Sequence, residues 1–305
     1  TLFVNHKLNE VCEIADRISV LRNGRVTESL EPNEFDPTRI MECMTGRRAA
    51  PRAASSPLPA SALPLLEVQG LSREGAYSDI SFQLRPGETL GLTGLLGSGQ
   101  TELALGIFGL IPFESGRVFI KGDEVQIRNV SAALEHGIAY VPEDRLREGL
   151  FLDQSISMNL AATMVDRLAG PLSVLKGGPV NEMVSKWIDT LAIATPSSEL
   201  PVQVLSGGNQ QRVVIGRWLA TSPEILIMNN PTAGVDVGSK LGIHQLVRSL
   251  VERQKGVILI SDDLPELMQN CDRVLVMGRG RLVREFLVTN TTEAELSREI
   301  LSGGV

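Results

Sequence analysis

The sequence predicts an α/β fold in which a mostly parallel sheet is covered by helices. Two observations favour this fold class. From residue 65 onwards, short apolar runs alternate with helical patterns, as in proteins built from β–α–β units. In addition, a glycine-rich loop lies between one of these apolar runs and a helix, an arrangement that is typical of phosphate-binding folds.

The positions of these runs give the expected elements. Strands are expected near 66–68 and at 90–92, 138–141, 225–228 and 257–260. Helices are expected to begin at Gln100 and at Ser206.

Composition narrows the class of protein. The chain has 305 residues, of which 43% are apolar, so at least one sizeable core is expected and the length suggests about two domains. The net charge is −7 and there is no polybasic block, so nucleic acid is not expected as a partner. Three scattered cysteines predict no disulfide framework and no zinc site, and they fit a reducing cytosol. The longest apolar stretch, 103–113, is far shorter than the roughly 18 residues of a spanning helix, so any membrane role should be peripheral.

Two parts of the chain resemble each other at a constant offset of 256 residues. Residues 6–10 (HKLNE) align with 262–266 (DDLPE), 16–18 (DRI) with 272–274 (DRV), and 24–26 (GRV) with 280–282 (GRL). A constant offset indicates a duplicated domain. The first copy is represented by its last piece, which opens on a strand-like apolar run at 1–5, so the chain is expected to be a fragment of a tandem protein.

Three segments are therefore expected. Residues 1–46 would be the C-terminal tail of a truncated first domain, and residues 65–305 a second domain. Residues 47–64 are rich in Ala, Pro and Ser without a hydrophobic period, which predicts an exposed linker.

The loop after the strand at 90–92 has the composition of a phosphate-binding loop. Its glycines let backbone N–H groups converge on phosphate oxygens, and the following helix N-terminus adds a favourable dipole. Thr101 stands where a hydroxyl would ligate Mg²⁺, and Gln100 where a lysine would hold phosphate oxygens. The residues expected to bind nucleotide here are Gly94, Leu95, Leu96, Gly97, Ser98, Gly99, Gln100 and Thr101.

A second motif, LSGGNQQR at 205–212, opens another helix. Ser206 is placed to cap this helix through its hydroxyl. Gly207 and Gly208 would bring backbone N–H groups close to an anion, such as a γ-phosphate presented by a facing domain.

A third motif completes a recognisable order. The apolar run 225–228 ends in Asn229 and Asn230, and a Pro-Thr pair and Asp236 follow. The phosphate-binding loop, the LSGGNQ motif, this strand and Asp236 together resemble the ABC transporter ATPases, which are P-loop NTPases. The segment VPEDR at 141–145 is similar to the variant Q-loop of the tandem-domain subunits of monosaccharide importers of the ribose, galactose and xylose type. The segment at His6 resembles the switch-histidine region that ends the first domain of those subunits, and the resemblance covers essentially the whole chain.

The resemblance implies further features. It implies a helical subdomain at roughly 150–205 and the cofactors ATP and Mg²⁺. The implied partners are membrane permease subunits, a periplasmic sugar-binding protein and the missing first nucleotide-binding domain. The implied location is the cytoplasmic face of the bacterial inner membrane, as a peripheral subunit.

The sites of this family are composite, because the phosphate loop of one domain faces the signature motif of the other. The resemblance therefore divides this chain between two sites. One site would combine His6 and the missing first-domain loop with Ser206, Gly207, Gly208 and Gln210. It is expected to hydrolyse ATP.

The other site departs from the family pattern and is expected to hold ATP without hydrolysing it. It would use the loop 94–101 with Glu143, Asn229, Asn230, Asp236 and Asp262. Gln100 replaces a cation, Asn229 and Asn230 replace the Mg²⁺ carboxylate and the glutamate that polarises water, and Asp262 replaces the switch histidine. Thr101 and the degenerate Asn229 remain as metal positions, and Glu143, Asn230 and Asp262 as degenerate catalytic positions.

Two protein classes stay open at this point: a transport ATPase subunit, and an ABC-fold regulatory protein that works in no transporter. The place of Arg145 and Arg147 is also open, since a solvated turn and a surface that meets the permease both fit.

Overall fold

A computed structural model of the chain describes residues 1–5, 8–22, 24–46, 63–168 and 177–303. The strands are β1 (Ile18–Arg22), β2 (Arg25–Leu30), β3 (Leu66–Arg73), β4 (Tyr77–Leu84), β5 (Thr89–Gly94), β6 (Ser115–Ile120), β7 (Asp123–Val125), β8 (Ile138–Val141), β9 (Ile225–Asn229), β10 (Gly256–Ile260), β11 (Arg273–Gly278) and β12 (Arg281–Leu287). The α-helices are α1 (Leu8–Ile14), α2 (Pro37–Thr45), α3 (Gln100–Ile107), α4 (Val130–Glu135), α5 (Ile156–Ala161), α6 (Val165–Leu168), α7 (Gly177–Thr190), α8 (Gly207–Leu219), α9 (Val237–Glu252), α10 (Leu264–Asn270) and α11 (Glu293–Ser302).

The central sheet has six strands in the order β12-β11-β5-β10-β9-β8, and β12 at one edge is antiparallel to its neighbour while the other pairings are parallel. Strands β8, β9 and β10 are buried at every residue, as expected for parallel strands that helices cover on both faces. The predicted α/β fold is confirmed, and four of the five expected strands lie in this sheet.

The fifth expected strand belongs to a different sheet. β3 pairs with β4 and β6 in a four-stranded antiparallel sheet of order β4-β3-β6-β7. The short connection between β3 and β4 explains the difference, because a tight turn joins antiparallel strands whereas parallel strands need a long crossover. The strand expected near 66–68 is therefore present as part of β3, but it lies outside the parallel sheet.

Between 150 and 205 the structure describes three α-helices, α5, α6 and α7, with turns and irregular segments at 150–155 and 191–201. Leu160 of α5 and Val184 of α7 share a core with Ile215 of α8. Gly216 lets α5 approach α8 closely, since a Cβ atom there would lie 2.8 Å from Leu160 Cδ2. Within the described ranges, no helix combines the length and the apolar character needed to cross a lipid bilayer.

The N-terminal elements recur near the other end of the chain. α1 begins at Leu8 and α10 at Leu264, β2 at Arg25 and β12 at Arg281, and α2 at Pro37 and α11 at Glu293, so each pair is offset by 256 residues. The structure thus has two copies of the same order of elements.

The first five residues, expected as strand-like, form no strand. Leu2 and Val4 are 91% and 87% exposed, whereas Ile258 and Ile260, their equivalents 256 residues later, are buried in β10. The difference has a physical cause, because β10 lies between β5 and β9 while residues 1–5 have no partner strand in the described part of the chain. His6 and most of the expected linker, 47–62, lie outside the described residues.

Candidate functional site

The parallel strands bring three loops to one edge of the sheet. Ile260 in β10 lies opposite Leu92 of β5 on one side and Asn229 of β9 on the other. The phosphate-type loop follows β5, the pair Asn229 and Asn230 ends β9, and Ser261 and Asp262 follow β10. This is the edge at which open α/β sheets bind ligands.

The loop 94–101 has an open, glycine-built surface. Gly97 has a φ of +81° and Gly99 a φ of +95°, in the left-handed region that favours glycine. A Cβ atom on Gly97 would have no described atom within 4 Å, whereas one on Gly99 would lie 2.4 Å from the carbonyl oxygen of Ala76. The loop is therefore held tightly at Gly99 and open at Gly97, as the approach of a phosphate requires.

Gln100 folds back over this loop. Its Nε2 donates a hydrogen bond to the carbonyl oxygen of Gly94 (3.2 Å). Its buried Oε1 and the buried Oγ of Ser98 have no hydrogen-bond partner among the described residues. Buried polar atoms without partners are rare in native proteins, so these two atoms leave hydrogen-bonding capacity for a bound polar group at this loop.

Asn229 connects β9 to the same loop. Its Nδ2 donates to Thr101 Oγ1 (3.2 Å) and to the hydroxyl of Tyr140 (3.3 Å), and its Oδ1 is a third buried atom without a described partner. Burial raises the pKa of Tyr140 to about 12, although the hydrogen bond from Asn229 opposes this change. The phenol is therefore neutral near pH 7, and every side chain in this contact is uncharged.

Asn230 and Asp262 form a second contact at this edge. The backbone N–H of Asp262 donates to Asn230 Oδ1 (3.3 Å), and the N–H of Asn230 donates to the carbonyl oxygen of Ile260 (2.8 Å). Asn230 has a φ of +42°, which asparagine tolerates better than most residues. Glu143 is exposed and makes no hydrogen bond or ion pair with another described residue.

The LSGGNQ motif starts α8, but Ser206 does not cap it as expected. Ser206 occupies the N-cap position without a side-chain hydrogen bond to the helix backbone, and its Oγ instead accepts from Asn209 Nδ2 (3.1 Å). The asparagine three residues later competes for the serine hydroxyl, so the prediction of a side-chain cap is wrong. No serine cap then occupies the N–H groups of the first turn, and Gln210 packs into the interior at 8% exposure.

The two glycines of the motif have close neighbours. A Cβ atom on Gly207 would lie 2.7 Å from Nη2 of Arg145, and one on Gly208 would lie 1.9 Å from Oγ of Ser239. Asp236 caps α9 by accepting from the backbone N–H of Ser239 (3.0 Å) and from its hydroxyl (2.8 Å). Burial would raise the pKa of Asp236, but these hydrogen bonds lower it below its ordinary value. Asp236 thus lies beside the signature glycines of its own domain.

The sequence did not reveal a buried carboxylate that joins several of these segments. Glu266 is 1% exposed, and its oxygens accept from Ser261 Oγ (2.6 Å) and Thr232 Oγ1 (2.9 Å) and lie 2.7 Å from His244 Nε2. Glu266 therefore ties the segment after β9 to the segment after β10. The one available signal was the internal repeat, which has glutamate at position 10 as well as at 266.

The predicted residues thus form two groups. The first group comprises the loop 94–101 and Asn229. Asn230 and Asp262, which contact each other, lie next to this group. The other comprises the start of α8 with Asp236. In the described ranges, no three His, Cys, Asp or Glu side chains are close enough to hold a metal ion. The first group offers an anion a backbone cradle and offers a cation neutral oxygen atoms.

The chain is similar in sequence to known proteins. A family model described as ABC transporter matches residues 77–233. The ribose import ATP-binding protein RbsA of Geobacillus kaustophilus is 38% identical over 305 residues, covering 99% of this chain and 61% of that protein. The ribose import ATP-binding protein RbsA 3 of Rubrobacter xylanophilus is 40% identical over 281 residues, covering 92% of this chain and 56% of that protein. The chain spans about three fifths of the length of these relatives.

Solved structures with the same fold have lower identity. A nucleotide-free ATP-binding cassette from an ABC transporter aligns with a TM-score of 0.64 at 23% identity, covering 78% of this chain and 95% of that one. A dimeric cassette bound to ADP and phosphate in a post-hydrolysis state aligns with a TM-score of 0.63 at 20% identity, covering 73% and 98%.

We expect Glu266→Gln to destabilise the chain in a pH-dependent way. Burial would raise the pKa of Glu266, but the hydrogen bonds and charge of His244, with smaller effects from Ser261 and Lys240, lower it below its ordinary value of 4.5. A lowered carboxyl pKa contributes stability above the unfolded value, and this contribution is lost as the pH falls through the folded value. Urea unfolding should therefore show a loss of about 2 kcal/mol near neutral pH, which shrinks below about pH 4.5. The exposed Glu135→Gln is the control, and a difference from wild type that does not change with pH would contradict the expectation.

Proposed function

This chain belongs to the ABC transporter family, and we propose that it is the C-terminal part of an ATP-binding subunit of a monosaccharide importer. In this proposal, the site at Gly94–Thr101 holds ATP without hydrolysing it. The relatives named for ribose import support the substrate class, since they are similar along nearly the whole chain. The repeated order of elements at 8–45 and 264–302 supports a tandem protein whose first domain ends before the linker.

Nucleotide binding is supported by the shape and polarity of the loop. Gly97 and Gly99 have positive φ angles, and the backbone N–H groups of such turns attract phosphate oxygens whatever charge the side chains carry. The N-terminus of α3 adds a dipole that favours negative charge by about 0.3–1 kcal/mol. The unpartnered atoms of Ser98 and Gln100 mark the same place as polar and incompletely satisfied.

The contact between Asn229 and Thr101 is the observation that best supports holding without hydrolysis. An amide donates to the hydroxyl where the family has a carboxylate that acts through Mg²⁺. Asn230 cannot take a proton from water near neutral pH, and loss of a general base slows such reactions roughly 10²- to 10⁴-fold. Asp262 donates its backbone N–H to Asn230, and its carboxylate takes the place of the switch imidazole.

The residues present fit the phosphates of ATP better than they fit Mg²⁺. Thr101 Oγ1 and Asn229 Oδ1 would be the groups that hold the ion, and both are neutral. A hard divalent cation prefers carboxylate oxygens, and the phosphates would have to supply the negative charge. When bound, Mg²⁺ would neutralise phosphate charge at this site.

The second site would be built across two domains. Leu8 and Glu10 lie two and four residues after His6, and they line a cavity of about 570 Å³ together with Gly234, Val237 and neighbouring residues. The segment next to His6 is therefore close to the 232–237 segment of the second domain. This proximity supports a contact between the segment next to His6 and the second domain, at a cavity that Asn230 and Asp262 also line. The family pattern, and not this cavity, supports a hydrolytic site made from the first-domain loop, His6, Ser206, Gly207 and Gly208.

The proposed partners follow from the same family. They are permease subunits, a periplasmic sugar-binding protein and the first nucleotide-binding domain, with the subunit attached peripherally to the cytoplasmic face of the bacterial inner membrane. Co-purification with the permease tests this part. Recovery without any membrane protein would favour the alternative, a regulatory ABC-fold protein outside transport.

The 305-residue chain alone should show no measurable ATPase activity, because its near-complete domain has Asn229, Asn230 and Asp262 at the Mg²⁺, base and switch positions. Phosphate release assays with ATP and Mg²⁺ measure this. Robust ATP turnover would overturn the expectation if Thr101→Ala or Glu143→Gln abolished it. That result would point to Glu143 or Asp262 as a substitute base.

The same chain should bind ATP with an affinity that removal of Mg²⁺ changes by less than about fivefold, because backbone N–H groups and the α3 dipole dominate the interaction. Calorimetric titration with ATP, with and without EDTA, measures the affinity. Gly97→Asp should abolish binding by adding a negative charge at the open face of the loop. Gly97→Asn is its matched neutral control, since both residues tolerate a positive φ. Absent binding at millimolar ATP would reject the holding site, and a large Mg²⁺ requirement would mean that another carboxylate, such as Glu143, holds the ion.

In the complete subunit, Ser206→Arg should stop ATP hydrolysis and sugar uptake, because it places bulk and charge at the start of α8 where a γ-phosphate would approach. His6→Ala should have the same effect. Ser302→Arg changes an equally exposed serine at the end of α11 and should leave turnover unchanged. Wild-type turnover in Ser206→Arg would remove the support for this composite site.

A further inference from the structure

Arg145 joins two segments that the sequence separates by about 90 residues. Its Nη1 donates to the carbonyl oxygen of Ala233 (3.0 Å) and its Nη2 to that of Gly234 (3.4 Å). Nη2 also lies 2.7 Å from the position that a Cβ atom on Gly207 would occupy. One guanidinium group thus contacts the 232–236 segment and the first residue of α8.

The surroundings of Arg145 differ from those of a solvated turn. The side chain starts from a π-helical turn, Arg145–Gly149, which Asp144 caps by accepting from the N–H groups of Leu146 (3.0 Å) and Arg147 (3.1 Å). Arg145 is half-buried, whereas the side chain of Arg147 is 88% exposed and pairs with Asp144. The two arginines therefore have different environments, although they are two residues apart.

Electrostatics alone does not explain this position. A cation beside the N-terminus of α8 is unfavourable, since that end of a helix carries partial positive charge. The two hydrogen bonds from the charged guanidinium to the carbonyl oxygens of Ala233 and Gly234 offset this repulsion. The planar fork of arginine reaches two successive carbonyl oxygens, whereas a lysine ammonium is a single point of charge.

We propose that Arg145 is a positioning residue that fixes the 232–236 segment against the start of α8, so that both approach the nucleotide of the opposing domain as one surface. Gly207 then has a second physical reason to be glycine, because a methyl group would displace the guanidinium. Gly234, with a φ of +65°, directs its carbonyl oxygen to Nη2 on the other side. This role rests on the composite site proposed above. In that site, Arg145 would act through the 232–236 segment without touching the nucleotide.

Hydrogen exchange on the 305-residue chain tests the contact itself. In Arg145→Ala and Arg145→Lys, the amides of 233–236 should exchange about tenfold faster than in wild type, because the segment loses its bidentate support. Arg147→Ala, in the same π-helical turn, should leave this exchange unchanged. Unchanged exchange in both Arg145 variants would overturn the proposal, as would equal acceleration by Arg147→Ala, which would show general loosening of the turn.

Turnover in the complete subunit tests the role. Arg145→Ala should lower kcat about tenfold and change KM for ATP less than about twofold, since nucleotide first binds to the phosphate loop of the other domain. Arg145→Lys should resemble the alanine variant, because charge without the fork restores one contact at most. A wild-type kcat in Arg145→Ala, or full rescue by lysine, would overturn the positioning role. The Ser206→Arg variant, measured in parallel, separates the composite site from the role of Arg145. Wild-type turnover in Ser206→Arg would reject the composite site. The hydrogen-exchange experiment would still decide whether Arg145 fixes the 232–236 segment.

Discussion

The parallel pairing of β5, β10 and β9 fixes which side chains can meet at the carboxyl edge of the sheet. Ile260 is in register with both Leu92 and Asn229, and this register brings Asn229 within 3.2 Å of Thr101, 128 residues away in the chain. Side chains alternate between the two faces of a strand, so a shift of one residue would turn Asn229 away from the loop. The contacts at Asn230 and Ser261 depend on the same register, because each follows the last residue of a paired strand.

At this edge, the proposed holding site has three neutral amide side chains, Gln100, Asn229 and Asn230. Against the family pattern, Gln100 would remove a positive charge and the asparagines at 229 and 230 two negative ones, while Asp262 would add a carboxylate in place of the switch histidine. Two unit charges ~4 Å apart interact by up to about 4 kcal/mol at an effective dielectric near 20. A single replacement would therefore change the electrostatic energy of bound phosphate strongly. Replacements of opposite sign offset each other in part. The geometry agrees, since Gln100 and Asn229 both turn an amide N–H towards a local oxygen. In the proposed holding site, anion binding would depend on backbone dipoles, which do not need the carboxylates that hydrolysis uses.

The start of α8 is positioned by contacts between segments that are distant in sequence. Gly208 packs against Ser239, Arg145 holds Ala233 and Gly234, and Glu266 joins Thr232 to Ser261. These contacts link the start of α8 to the segments that follow β9 and β10. A displacement of one segment would therefore shift the others, because these contacts connect all of them and Glu266, which joins two of them, is buried.

The sequence by itself determined the α/β class, five strands of which four lie in the six-stranded central sheet, and the starts of α3 and α8. It could do so because apolar periodicity and glycine-rich loops act locally. It also identified the family, because the motifs have a characteristic order. It could not assign β3 to the antiparallel sheet, nor show that residues 1–5 form no strand, because strand pairing depends on neighbours elsewhere in the chain. The contact of Asn229 with Thr101, the place of Arg145 beside Gly207 and the burial of Glu266 were decided by the tertiary structure alone. Each joins residues from different elements, and only the packing of those elements brings their side chains within hydrogen-bond distance.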